Sequence, residues 1–293
     1  MGMEALHLFL LSLKVTAFVF AMMVVADLLN VKTAGTMRRL LWGRRPRQYL
    51  LAALLGVSPG CFGAFLATYL YAHGFLSFGA MVAAMVATSG DESFVMFQAF
   101  PGKALLLHLL LFAVGVGAGW ATDRIAPLLM IRRGKACPLA EPCEACLAPP
   151  ASEHQRGKKW GLLHFLSEHI WGHIVKEHLW RVFLWTFLAL LFVRLAIEEG
   201  PLGDFVRGHL GWTLVPVAAL VGLIPESGPH MIFVFLYRDG LIPFSVLLTS
   251  SVVQDGHGML PLLALCPKDA ILVKAFNLVV GLVVGGASLL VGL

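Results

Sequence analysis

The chain has 293 residues, 58% of them hydrophobic and only 13% charged, with a mean hydropathy of +0.82. Soluble domains carry about a quarter charged residues, so this composition excludes a water-soluble globular protein. Lys and Arg number 22 against 17 acids, a net charge of +5 that is too small and too confined to loops for nucleic-acid binding. The balance reads instead as a protein embedded in a lipid bilayer with its positive loops inside.

A bilayer core of about 30 Å takes roughly 20 helical residues. On that measure the apolar segments predicted are 5–29, 49–72, 75–100, 103–121, 179–198, 211–237, 241–266 and 268–292. The first runs beyond the length of a signal-peptide core and carries Lys14 and Asp27, which predicts a retained span. The connection 30–48 holds Lys32, Arg38, Arg39, Arg44, Arg45 and Arg47. The connection 122–160 holds Arg124, Arg132, Arg133, Lys135, Arg156, Lys158 and Lys159. By the positive-inside rule both are cytoplasmic, in the plasma (inner) membrane of the cell. Three segments separate these loops, and three full crossings would put the loops on opposite sides. One segment must therefore turn back. The candidate is 75–100, interrupted by Thr88-Ser89-Gly90-Asp91-Glu92-Ser93, whose arms of about 14 and 9 residues would reach roughly 21 and 14 Å. Non-helical backbone at that depth survives only when protein buries it or water lines it.

The sequence repeats itself. A gap-free shift of 166 residues places Leu54-x-Gly56-x-x-Pro59 on Leu220-x-Gly222-x-x-Pro225 and Leu70-Tyr71-x-x-Gly74 on Leu236-Tyr237-x-x-Gly240. It also pairs Phe78 with Phe244, Gly90 with Gly256, Pro101 with Pro267, and Gly115 and Gly119 with Gly281 and Gly285. Each half reads as span, broken span, re-entrant hairpin, span. An odd number of crossings per half inverts the second copy. The predicted fold is thus an all-α polytopic membrane protein of two inverted-topology repeats, 1–121 and 171–293, joined by a cytoplasmic linker with an interfacial helix, 122–170.

Four helix interruptions are expected to converge near the bilayer midplane. They are Ser58-Pro59-Gly60-Cys61, Ser89-Gly90-Asp91-Glu92-Ser93, Pro225-Glu226-Ser227-Gly228-Pro229-His230 and Gln254-Asp255-Gly256-His257. An ionised side chain near the bilayer centre costs about 3 kcal/mol on insertion scales, so acids there are functional candidates. Asp91, Glu92, Glu226 and Asp255, with His230 and His257, form an oxygen and imidazole set suited to divalent ions such as manganese, iron or zinc. Ser58, Ser89, Ser93, Ser227 and Gln254 would support it. Cys61 would add a softer ligand or serve only as a small packing residue. Lys14 either snorkels to the interface or acts as counter-ion to Asp91, Glu92 or Asp255. The competing role for these acids is structural pairing with Lys14 or with backbone.

The linker carries Cys137, Cys143 and Cys146, of which Cys143 and Cys146 form a Cys-x-x-Cys pair. His169, His173 and Glu177 share one face of a helix at i, i+4, i+8 and are a possible cytoplasmic metal site. Trp160, Trp171 and Trp180 make the same stretch readable as an interfacial anchor.

Gly56-Val57-Ser58-Pro59-Gly60-Cys61, Thr88-Ser89-Gly90-Asp91-Glu92-Ser93, Ile224-Pro225-Glu226-Ser227-Gly228-Pro229-His230 and Gln254-Asp255-Gly256-His257-Gly258 resemble the motifs of the ten-transmembrane heavy-metal exporters. That family is also labelled arsenic-efflux-like or manganese-transporter-like permeases. The resemblance implies efflux of a metal or metalloid, with no enzymatic activity and no resident cofactor; the direction of transport comes from it alone. Two alternatives stand beside a divalent-metal exporter. One is a permease for arsenic species or small anions, which would use helix N-termini and thiols. The other is an enzyme like the membrane lipid pyrophosphate phosphatases, which would need cationic clamps that none of the four breaks supplies as Arg.

Overall fold

The computed structural model describes residues 9–14, 16–17, 20–21, 45–72, 74–128, 180, 183–184, 187–188, 191, 195, 211–225 and 227–292. Among them every regular element is helical and there is no strand. The first half holds α1 (Arg45–Val57), α2 (Phe62–Ala72), α3 (Phe78–Ala87), α4 (Glu92–Ala99) and α5 (Pro101–Ile125). The second holds α6 (Leu214–Gly222), α7 (Met231–Arg238), α8 (Phe244–Val253), α9 (Met259–Leu265) and α10 (Pro267–Leu290), with a 3₁₀ turn at Gly256–Gly258 before α9. Residues 129–179, with Cys137, Cys143, Cys146, His169, His173 and Glu177, lie outside the described residues, as does Glu226; residues 122–125, expected in the linker, continue α5.

Helix limits follow local chemistry. Ser77 starts α3 by accepting the Ala80 amide on its hydroxyl at 3.1 Å, an N-cap that Phe244's preceding residue, Pro243, replaces with fixed geometry in α8. Pro101 and Pro267 open α5 and α10 at the position where a missing amide costs nothing. These two helices, 25 and 24 residues long, are apolar and span about 36 Å, enough to cross a bilayer. The other eight run from 7 to 13 residues, about half that length or less. The segments predicted at 49–72, 75–100, 211–237 and 241–266 are therefore each two short helices with a break between them.

The 166-residue period extends from sequence into conformation. Shifted by it, Phe78–Ala87 falls on Phe244–Val253, and Pro101 falls on Pro267. The residues before those prolines share an unusual backbone, Phe100 at φ −149, ψ 70 and Cys266 at φ −139, ψ 66. Gly74 and Gly240, and Gly90 and Gly256, have matching positive φ values.

α3 and α8 form the centre, with all ten residues of each buried. α3 packs between α1 and α5, and α8 between α6 and α10. Across the halves α3 meets α8, α2 meets α9, and α4 meets α7, an exchange in which each contact has its counterpart under the shift. The arms α3 and α4 do not pack along one another; each is held by its neighbours. Small residues permit the close approach. A Cβ on Gly115 would stand 2.7 Å from the Ala83 carbonyl, and one on Gly119 would stand 2.6 Å from that of Gly79. Gly115→Ala is accordingly expected to lower the unfolding temperature in detergent, by a few degrees for about 1–3 kcal/mol of overpacking. Gly117→Ala, whose Cβ meets nothing within 4 Å, should leave it unchanged or slightly raised. Equal behaviour of the two variants would contradict this packing.

Two acids outside the breaks, Asp123 and Asp269, are committed to the fold. Asp123 accepts the Tyr49 hydroxyl at 2.8 Å and the Gly79 amide at 2.8 Å, fastening α5 to α1 and α3. Asp269 accepts the Tyr71 hydroxyl at 2.7 Å, joining α10 to α2 in the other half.

Candidate functional site

Each break begins where a short helix ends. α3 stops at Thr88, whose extended backbone withdraws from helical geometry while its hydroxyl donates back to the Ala84 carbonyl at 2.8 Å. α8 stops at Gln254 with the same extended backbone. Gly90 and Gly256, at φ +56 and +52, then turn the chain through the left-handed region that favours glycine.

The four breaks meet. The Gly60 amide donates to the Gly90 carbonyl at 3.2 Å, stitching the first break to the second. Gln254 Nε2 donates to the Thr88 carbonyl at 3.2 Å, joining the fourth to the second. Thr88 and Gln254 are themselves one period apart, so positions matched by the repeat touch each other. Ser227, from the third break, lies over both left-handed glycines. Thr68 on α2 supports the fourth break by donating to the Gly258 carbonyl at 3.2 Å.

Within this junction the predicted residues fall into separate groups. Asp91 and Glu92 are buried at the start of α4, 4% and 2% exposed. The Cys61 thiol donates to Asp91 Oδ1 at 3.4 Å, which ties the first break to this acid pair. Glu92 Oε1 has no hydrogen-bond partner. Ser93 and Ser58 are spent locally, on the Gly90 carbonyl at 2.5 Å and the Leu55 carbonyl at 2.6 Å.

Asp255 is fully buried and heavily engaged. Asn277 Nδ2 donates to its Oδ1, and the Lys274 ammonium pairs with its Oδ2 while also donating to the Gly222 carbonyl at 3.1 Å. Among the described residues the ammonium that meets a break acid is thus that of Lys274; Lys14, for which this role stood beside snorkelling, is exposed. His230 is also buried, with Nε2 3.3 Å from the Ile224 carbonyl and Nδ1 3.4 Å from Ser250 Oγ. A carbonyl only accepts, so Nε2 carries the proton and Nδ1 accepts from Ser250. Both nitrogens of His230 therefore already face partners. The side chain of His257 is outside the described residues. Among those described, no three His, Cys, Asp or Glu side chains gather closely enough to hold a metal ion.

Three residues were missed from sequence: His108, Lys274 and Asn277, all on the long helices rather than in the breaks. His108 Nδ1 lies 2.7 Å from the Ala104 carbonyl, leaving Nε2 to accept from Ser89 Oγ at 3.0 Å. The repeat carried the signal. Its shift lays Ser89 on Asp255 and His108 on Lys274, so each long helix sends one nitrogen side chain to the same position of its own break.

Two bilayer-length helices, with buried polar groups concentrated at helix breaks that meet between two matching halves, define an all-helical fold built around broken helices. The chain belongs to the family described as "Putative, 10TM heavy-metal exporter", whose model matches residues 10–190 and 164–290. No curated protein and no solved structure matches the chain.

Proposed function

We propose that the protein is a secondary-active transporter that exports a divalent metal ion of the manganese type by alternating access between two oppositely oriented repeats. Ion or proton exchange drives it, and both basic loops face the cytoplasm. In this reading 75–100 and 241–266 are the re-entrant hairpins. Support comes from the matched conformations of the halves, from contacts between repeat-related positions at the junction, and from broken helices meeting there.

The observation that carries the substrate class is the imbalance of hydrogen bonding at the breaks. Three side-chain donors at the breaks are consumed: Gln254 Nε2, Asn277 Nδ2 and the Cys61 thiol all have acceptors. What remains is oxygen. Glu92 Oε1 and Asn277 Oδ1 are buried acceptors without partners. A lone buried acceptor costs about 1–3 kcal/mol, and a dehydrated cation satisfies several at once. Asp91 and Glu92 are the first ligands, with Cys61 beside them. Asp255 joins when Lys274 withdraws, and Glu226, His230 and His257 complete the set in the transport cycle.

The anion and enzyme alternatives both need a free cationic clamp. Among the described residues Lys274 is the cation that reaches a break, and Asp255 already neutralises it. Purified protein in liposomes enclosing a metal-sensitive dye tests the proposal. Manganese is expected to enter at least tenfold faster than into protein-free liposomes, with arsenite unmoved. Failure of manganese, zinc and iron(II) to exceed the protein-free rate would overturn it.

A further inference from the structure

Gly90 and Gly256 stand together where the halves meet: a Cβ built on Gly256 would lie 3.7 Å from Gly90 Cα. Ser227 Oγ is 2.8 Å from the Cβ position of Gly90 and 3.2 Å from that of Gly256. Gln254 Oε1 is 3.5 and 3.8 Å from the same two points. Two side-chain oxygens without partners therefore lie against the same pair of glycine backbones. Ser227 is 2% exposed and Gln254 fully buried, and neither oxygen has a hydrogen-bond partner.

The carboxamide of Gln254 has a fixed sense. Its nitrogen faces the Thr88 carbonyl, which cannot donate, so Oε1 is presented to the space opposite. The oxygens offered to a ligand here are uncharged. Without a carboxylate among these ligands, removing water from a divalent ion goes uncompensated, whereas a monovalent ion needs far less.

We propose that Ser227 and Gln254, between Gly90 and Gly256, bind a monovalent cation of the sodium class. It is separate from the acid pair Asp91 and Glu92 and serves as the coupling ion. Gly90 and Gly256 are required on both counts, for the left-handed turn and because a methyl group at either would enter the ion's space. The coupling role rests on the transporter reading; the binding does not.

The test is thermal unfolding of the purified full chain in detergent, free of divalent ions, over a titration of sodium chloride against choline chloride at constant ionic strength. Sodium is expected to raise the unfolding temperature saturably and choline not at all. Ser227→Ala should need at least tenfold more sodium for half the effect. Ser227→Thr, which keeps the hydroxyl, should stay within about twofold of wild type. If Ser227→Ala fails to fold, Gln254→Asn, which withdraws the carbonyl by one methylene, should weaken sodium comparably. Identical wild-type curves in sodium and choline, or a wild-type sodium response in the variant, would mean that ordered water fills the space and would overturn the inference. A protein that responds to sodium but moves no metal in liposomes would instead sink the cargo reading alone.

Discussion

Lys274→Met is expected to destabilise the protein by about 3–5 kcal/mol, the usual consequence of stranding one member of a buried ion pair. Asp255 has no exposed surface, and α8 and α10 pack together around it. Without the ammonium its Oδ1 keeps Asn277, while its Oδ2 faces no cation. The Gly222 carbonyl, at the end of α6, loses its donor as well. The readout is the unfolding temperature in detergent, which should fall by on the order of 10 °C. Adding Asp255→Asn should restore most of the loss, because the second change removes the charge that the first had stranded. A Lys274→Met protein melting with wild type, or a double variant no better than the single, would refute the buried pair. The sign distinguishes pairing from mere packing: two packing defects add, whereas two halves of one ion pair compensate.

How much of this was legible in the sequence depended on which signal each feature left. The breaks were legible because Pro and Gly interrupt apolar runs, and they appear where Ser58 to Cys61 and Thr88 to Asp91 predicted. The repeat was legible because its glycines are placed by backbone contact. Gly115 and Gly281 lie against α3 and α8, where larger residues would not fit. Side-chain pairing was less legible. Lys274 sits inside an apolar helix, two turns from its start, and nothing local ties it to Asp255; only the tertiary contact between α8 and α10 does. Lys14 was just as plausible a partner by composition, and the fold leaves it exposed. The period could have decided between them, since it assigns His108 and Lys274 equivalent places while Lys14 falls at a position without such a counterpart in the breaks.

That pairing also separates the four break acids by what they can be asked to do. Asp255 is held by Lys274 and Asn277, whereas Glu92 leaves Oε1 without a hydrogen bond in a fully protein-enclosed position. A group that costs stability and returns none in the resting fold marks a site kept for function. Glu92→Gln is therefore expected to hold or raise the unfolding temperature, since it keeps the shape of a group whose Oε1 the fold leaves without a hydrogen bond. In liposomes the same variant should slow manganese transport by at least a hundredfold. Asp91→Asn should act in the same direction on transport, its Oδ1 still accepting from the Cys61 thiol so that the junction keeps its form. Asp91→Asn combined with Glu92→Gln should show no more loss than the stronger single variant if the two carboxylates hold one ion. Wild-type transport by Glu92→Gln would remove the acid pair from the cargo path. A large fall in its unfolding temperature would instead make Glu92 a structural residue, so the two measurements together distinguish a metal ligand from a buried acid that merely holds the break in place.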